Sequence, residues 1–234
     1  MKKNIVCSNC HTENPFFVQN CTNCNAFLRS KIANLDLWDT LWKIMESPVK
    51  TAETIIQSDH KNFAVSLVIA AAIKIGLTFY IISNAFHFFG DEISNDFNFI
   101  SLASIFFLLI FIFFSFIITI VNSRFGIKNR FKDNFALYAY SLLPIILILI
   151  FLAPVQIALF GTYWFTFNPS PLIIKPMVTY VLFSIEGIFF LWSCALLITS
   201  TYSQTNSIPY SVGAGIVFSG IISVGLFFLM SLVY

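Results

Sequence analysis

Three long stretches of this chain carry no Asp, Glu, Lys or Arg: Phe97 to Ser123, Asn134 to Ile174 and Gly187 to Tyr234. A further apolar run, 63–84, holds a single cation, Lys74. A bilayer core about 30 Å thick is crossed by ~20 apolar residues rising 1.5 Å each. These runs therefore divide into five expected spans, about 63–84, 98–121, 135–160, 176–200 and 211–234. Lipid offers no partner to an open backbone, so helices are expected. The runs also lack the polar alternation of an outer-membrane barrel strand. The composition agrees: 58% of the 234 residues are hydrophobic and 10% are charged, against about 25% charged in a soluble domain. An ordinary soluble enzyme and a disordered chain are both excluded. The expected fold is an all-α integral membrane protein, a bundle of five transmembrane helices with a small polar appendage.

Charge placement orients the bundle. Lys2, Lys3, Arg29, Lys31, Lys43, Lys50 and Lys61 precede the first span, and the loop at 122–134 carries Arg124, Lys128, Arg130 and Lys132. The loop at 85–97 carries Asp91, Glu92 and Asp96 and no cation; the loop at 161–175 has Lys175 alone, and the loop at 201–210 has no charge. The positive-inside rule then places the N-terminus in the cytoplasm and the C-terminus outside, as an odd number of spans requires. Met1-Lys2-Lys3 is basic, but Cys7 arrives before a signal-peptide apolar region could form, so the first span serves as the targeting signal.

Four of the five cysteines fall into two pairs, Cys7-Ser-Asn-Cys10 and Cys21-Thr-Asn-Cys24. Each pair can wrap two thiolates around one ion, and a short hairpin can bring the pairs together. Tetrahedral four-thiolate sites favour zinc. Spacing alone also admits a rubredoxin-type iron, while a cytoplasmic location disfavours disulfides. Residues 7–28 resemble the short zinc ribbons at the ends of many prokaryotic proteins. Those usually carry Gly directly after each pair, where this chain has His11 and Asn25. Both residue types tolerate positive φ. His11 is the alternative ligand, but four thiolates already complete a tetrahedron. A four-Cys site has no open position and is structural. Its bare use is to fold a module too small to fold alone; its functional use is to dock a protein partner. Residues 1–30 hold only Lys2, Lys3 and Arg29 as cations, and the formal net charge is +2. That is too little for a nucleic-acid footprint.

Residues 31–62 bridge ribbon and membrane. Leu35, Trp38, Leu41, Trp42 and Met45 recur at helical spacing and form one apolar face. That face suits either a helix lying on the cytoplasmic leaflet or one packed on the end of the bundle. Ser47-Pro48 reads as a stop and restart, with Ser47 as N-cap of a second short helix at about 48–58.

Lys74 lies mid-way along span one and Glu186 near the middle of span four. Intramembrane charges seek partners, so a buried Lys74–Glu186 pair is expected, fixing the bundle or lining a path. Pro144 and Pro154 interrupt span three and permit a kink. No HExxH, phosphate-binding Gly loop or GxSxG elbow is present, and His11, His60 and His87 are far apart. The chain reads as a non-enzyme.

The stretch Phe131-Lys-Asp-Asn-Phe-Ala-Leu-Tyr-Ala-Tyr-Ser-Leu-Leu-Pro144 resembles the Yip family signature. Tyr140, Ser141, Leu142, Leu143 and Pro144 match its third-span motif, with Ala139 where Gly is usual. Phe125-Gly126 and Phe131-Lys132 are similar to the family's basic loop, and the resemblance covers roughly 46–234. It implies five spans with a cytoplasmic N-terminus. Eukaryotic members serve vesicle traffic and bind Rab/Ypt-type GTPases through a long N-terminal segment; this chain has a ribbon in that place. The combination resembles prokaryotic Yip-like proteins and implies a bacterial plasma membrane.

The domains expected are a zinc ribbon at 1–30, amphipathic juxtamembrane linker helices at 31–62 and a five-span Yip-like domain at 63–234. The first functional reading is a non-enzymatic membrane adaptor or organising protein that presents the ribbon to a protein partner. The second is a small transporter using Lys74 and Glu186. The third is a metal or redox sensor.

Overall fold

The computed structural model describes residues 4–15, 18, 20–28, 35–58, 60–88, 96–127 and 129–232. Lys2, Lys3, Arg29, Lys31, Asp91, Glu92 and Lys128, which carry much of the charge argument, lie outside the described residues.

The N-terminal module opens with strands β1 (Asn4–Val6) and β2 (Glu13–Pro15), paired antiparallel with Ile5 opposite Asn14. A single antiparallel bridge joins Asn20 to Phe27. So little sheet cannot bury a core of its own, and the burial is centred on sulfur: Cys7 and Cys21 are buried with Asn14.

Helix α1 (Leu37–Glu46) starts at Asp36, whose carboxylate accepts the Asp39 N–H at 2.8 Å, the expected use of an acidic N-cap. Helix α2 (Pro48–Gln57) starts with Pro in its first turn. Ser47 does not cap α2 with its side chain, as the sequence suggested; its hydroxyl turns back to the Lys43 carbonyl of α1 at 3.4 Å. The fixed φ of Pro48 starts α2 without that bond.

Among the described residues, five helices or helical runs are long and apolar enough to cross a membrane: α3 (Ala64–Phe86), α4 (Asp96–Arg124), the run Leu143–Phe160, α10 (Pro176–Thr205) and α11 (Ile208–Ser231). The stretch expected as the third span, 135–160, is not one regular helix. Helix α5 (Phe131–Ser141) ends at a turn on Leu142; α6 (Leu143–Leu147), a π-helical turn Ile148–Leu152 and α7 (Ala153–Phe160) follow. The prolines account for both breaks. Pro144 and Pro154 lack an N–H and crowd the carbonyl four residues back, and the π turn widens the ladder just ahead of Pro154. Short helices α8 (Tyr163–Thr166) and α9 (Pro171–Ile174) then lead to α10.

The chain divides into two compact units. The first takes the residues up to Val65, Ile112–Ser141 and Leu196–Ile216; the second takes Ser66–Phe111, Leu142–Ala195 and Val217 onward. In the first, α1 and α2 pack on each other and on α5, burying Ile44, Ile55, Ile56 and Leu137. In the second, Tyr80, Phe99, Ala103 and Met230 form one cluster, and Ile81, Phe160, Trp164 and Leu182 another. Gly76 lets α3 and α4 touch there: a Cβ would fall 2.3 Å from Ser104 Oγ and 2.9 Å from the Ile100 carbonyl oxygen.

Candidate functional site

The ribbon gathers its four sulfurs at one point. Cys7, Cys10, Cys21 and Cys24 offer Sγ atoms that all lie within 4.8 Å of one another, close enough to hold one metal ion. The nearest approaches, 3.4 Å for Cys10–Cys21 and 3.6 Å for Cys7–Cys24, are far beyond a disulfide's ~2.05 Å, and all five cysteines are free. The two loops repeat one geometry. Asn9 N–H and Asn23 N–H each point at the sulfur two residues back, Cys7 and Cys21, at 3.4 Å. His11 and Asn25 donate to the Cys7 and Cys21 carbonyls at 3.0 Å, and take φ of 57° and 60°. These are the left-handed conformations that Gly adopts freely, so His11 serves the turn.

One residue outside the ligand set ties the loops together. Asn14 is fully buried. Its Nδ2 donates to the Thr12 carbonyl at 2.8 Å and to Cys21 Sγ at 3.4 Å. Its Oδ1 accepts from the Thr22 N–H at 2.8 Å and hydroxyl at 2.9 Å. Nothing in the sequence marks Asn14, because its importance comes from facing the second loop across the hairpin.

The sulfurs are electrostatically unequal. Thr12, whose hydroxyl and backbone lie against Cys10, draws that thiol down to about 5. Cys21 is also lowered, first by the Cys24 backbone N–H. Cys24 is pushed up to about 11: the Ala26 N–H pulls it down, but Cys10, burial and Cys7 together outweigh that pull. Cys10 is therefore a thiolate at neutral pH, the form that ligates metal.

In the second unit, Lys74 Nζ lies 2.7 Å from Glu186 Oε1. Gln156 Nε2 donates to the same oxygen at 2.9 Å. Lys74 and Gln156 are buried, and the Glu186 side chain is 13% exposed. Three span segments thus converge on one carboxylate oxygen. Gln156 was legible as a polar residue within an apolar run.

The first unit holds polar sites that the charge pattern did not reveal. Lys61 Nζ donates to Ser58 O at 2.8 Å, Ile56 O at 3.1 Å and Ser58 Oγ at 3.1 Å, and also to Ile55 O. It thereby closes the C-terminal end of α2, where a cation complements the helix dipole. Its charge meets buried Asp133 at 3.2 Å, and Arg130 reaches the same carboxylate at 3.2 Å. A directional chain runs from Tyr210 OH to Asn122 Oδ1 (2.8 Å), Asn122 Nδ2 to Gln204 Oε1 (3.0 Å), Gln204 Nε2 to Asn134 Oδ1 (2.9 Å) and Asn134 Nδ2 to Thr119 Oγ1 (2.8 Å). It joins residues of α4, α5, α10 and α11.

The motif residues have assigned contacts here. Tyr140 OH donates to the Asn62 carbonyl at 2.9 Å. Ser141 Oγ meets Ser200 Oγ at 3.0 Å and donates to the Leu137 carbonyl at 2.9 Å. Leu142 forms the turn (φ −81°, ψ 1°), and Leu143 and Pro144 are buried beyond it. The motif supplies helix-packing contacts, a turn and a helix restart.

No curated protein and no solved structure matches this chain. The Yip1 domain pattern matches residues 42–233. That stretch contains all five membrane-length helical segments and stops short of the cysteine ribbon. On this coverage the chain belongs to the Yip1 domain family, as a multi-pass integral membrane protein.

Proposed function

We propose that this protein is a non-enzymatic membrane adaptor that presents a zinc-folded ribbon to a protein partner in the cytoplasm. The observation that supports it is the sulfur cluster: four Sγ atoms within 4.8 Å, arranged by matched N–H···S contacts and by Asn14. This donor set fits a tetrahedral Zn²⁺ site without an open position, which folds a surface and performs no chemistry. On this reading 1–30 is the docking module, 31–62 the connector and 63–234 the anchor in a bacterial plasma membrane, the N-terminus cytoplasmic and the C-terminus outside. Nucleic acid is not the partner, since the ribbon's cations are too few.

Proximity labelling from the N-terminus in cells, comparing the intact chain with Cys21→Ser at equal membrane level, tests the reading. A defined neighbour set that disappears with Cys21→Ser supports it. Unchanged neighbours overturn it.

A second reading, a small transporter, is favoured by the convergence of Lys74, Gln156 and Glu186 on one point within the spans. The adaptor tolerates the neutral pair Lys74→Met with Glu186→Gln and fails without the ribbon. The transporter behaves the opposite way.

A further inference from the structure

Helix α1 is divided into three arcs, and among the described residues one of them is covered by protein. Thr40 and Ile44 are buried, on the side where α1 packs against α2 and α5. Next around the helix come half-buried Leu37, Leu41 and Met45, and then Trp38 and Trp42, which are 80% and 63% exposed. Beyond them lie Glu46, Asp39 and Lys43, a charged arc in which Lys43 and Asp39 pair at 2.7 Å. At 100° per residue these arcs follow one another in that order. The apolar face expected from Leu35, Trp38, Leu41, Trp42 and Met45 is thus only partly used for packing, and its two largest side chains remain uncovered.

The geometry points to the bilayer as the occupant of that uncovered arc: Trp38 and Trp42 seat α1 in the headgroup boundary of the membrane that holds the bundle. A helix at such a boundary beside the bundle needs one side against protein, one toward lipid and one toward water, in the order found here. Indoles prefer this layer, with an apolar body and a polar tip. Trp42 lies nearer the charged arc and points its tip that way, donating Nε1–H to Glu46 at 2.8 Å. The bilayer is also the surface within reach, because α2 ends at Gln57 and spanning α3 begins at Ala64. Attraction to anionic lipid is not the cause: Asp36, Asp39 and Glu46 outnumber Lys43 on and beside α1. The indoles carry the contact, so zwitterionic lipid suffices. The inference is independent of the ribbon and of its metal.

The full chain is labelled with 5-fluorotryptophan and placed in phosphatidylcholine nanodiscs. Trp38→Phe and Trp42→Phe, both conservative at exposed positions, assign the two ¹⁹F resonances. Each is read with a lipid carrying a nitroxide near its headgroup, then with a water-soluble gadolinium chelate. The expected result is severalfold stronger broadening of both resonances by the nitroxide lipid than by the chelate. Stronger broadening by the chelate puts the indoles in water and overturns the inference. Broadening by neither means a protein or a second copy covers them, and overturns it equally.

Discussion

Lys74 Nζ meets Glu186 Oε1 at 2.7 Å, although the two residues are 112 positions apart in the chain. Gln156 supplies a second donor to the same oxygen. An isolated charge at mid-span costs about 2.5–3.5 kcal/mol on insertion scales, and breaking one partner of a buried pair costs about 3–5 kcal/mol. Lys74→Glu should therefore lower the thermal midpoint sharply in nanodiscs. The exchange Lys74→Glu with Glu186→Lys should recover more than half of that loss, since either order of charges makes the pair. A double exchange no more stable than the single would remove the pair from the account.

Lys61→Met should loosen α2 from its C-terminal end. The substitution removes the ammonium from the carbonyls of Ile55, Ile56 and Ser58 and from the Asp133 carboxylate, which Arg130 also reaches. A hydrogen bond to a charged group is worth about 1.5–3 kcal/mol. Amide exchange in α2, followed by mass spectrometry, should accelerate about tenfold or more. Arg130→Met should do far less, because that side chain is 31% exposed and water replaces it.

The amide chain allows an internal comparison. Gln204→Leu strands two buried groups, Asn122 Nδ2 and Asn134 Oδ1. Tyr210→Phe removes one donor at the chain's end. At about 1–3 kcal/mol for each stranded group, the first should destabilise roughly twice as much as the second in thermal unfolding. Equal effects would mean that the chain acts only through its end.

On the proposed zinc-ribbon reading, Asn14→Ala should weaken Zn²⁺ binding by about 10–100-fold, the usual penalty for losing a partner that orients a ligand. Competition with a chromogenic chelator measures it. Wild-type affinity would show that the cysteine loops hold themselves.

The stripped ribbon should reveal its unequal thiols. At pH 7 Cys10 is above its value of about 5 and is a thiolate, whereas Cys24 is below about 11 and stays protonated. Iodoacetamide should modify Cys10 well before Cys24, the weaker nucleophilicity of a low-pKa thiolate only narrowing the gap. Cys24 should quicken as pH rises toward 11. Peptide mass spectrometry reads both rates, and a reversed order would contradict the hydrogen bonds around Thr12.

Much of this architecture was legible before any coordinate. Uncharged runs of membrane length are read directly, because burying backbone in lipid leaves a chain few alternatives to helix. The two Cys-x-x-Cys pairs are legible for a similar reason, since thiolate ligation imposes a short, local spacing. Their spacing puts Trp38 and Trp42 on one apolar arc, yet which part of that arc meets protein depends on α2 and α5, and no periodicity in α1 carries that.

Most of the unread features join segments far apart in the chain. Lys61 and Asp133 look like ordinary loop charges until folding sets one at the end of α2 and the other beside it. Asn122, Asn134 and Gln204 are visible as polar residues at the ends of apolar runs, but their directional chain exists only once α4, α5 and α10 are neighbours. Periodicity and composition act along the chain, and so they specified spans, caps and ligand pairs. Hydrogen bonds and ion pairs reach about 3 Å through space, and so packing alone set Asp133 against Lys61, Gln156 against Glu186 and both amide partners of Gln204, whereas the Lys74–Glu186 pair follows from the rule that intramembrane charges seek partners.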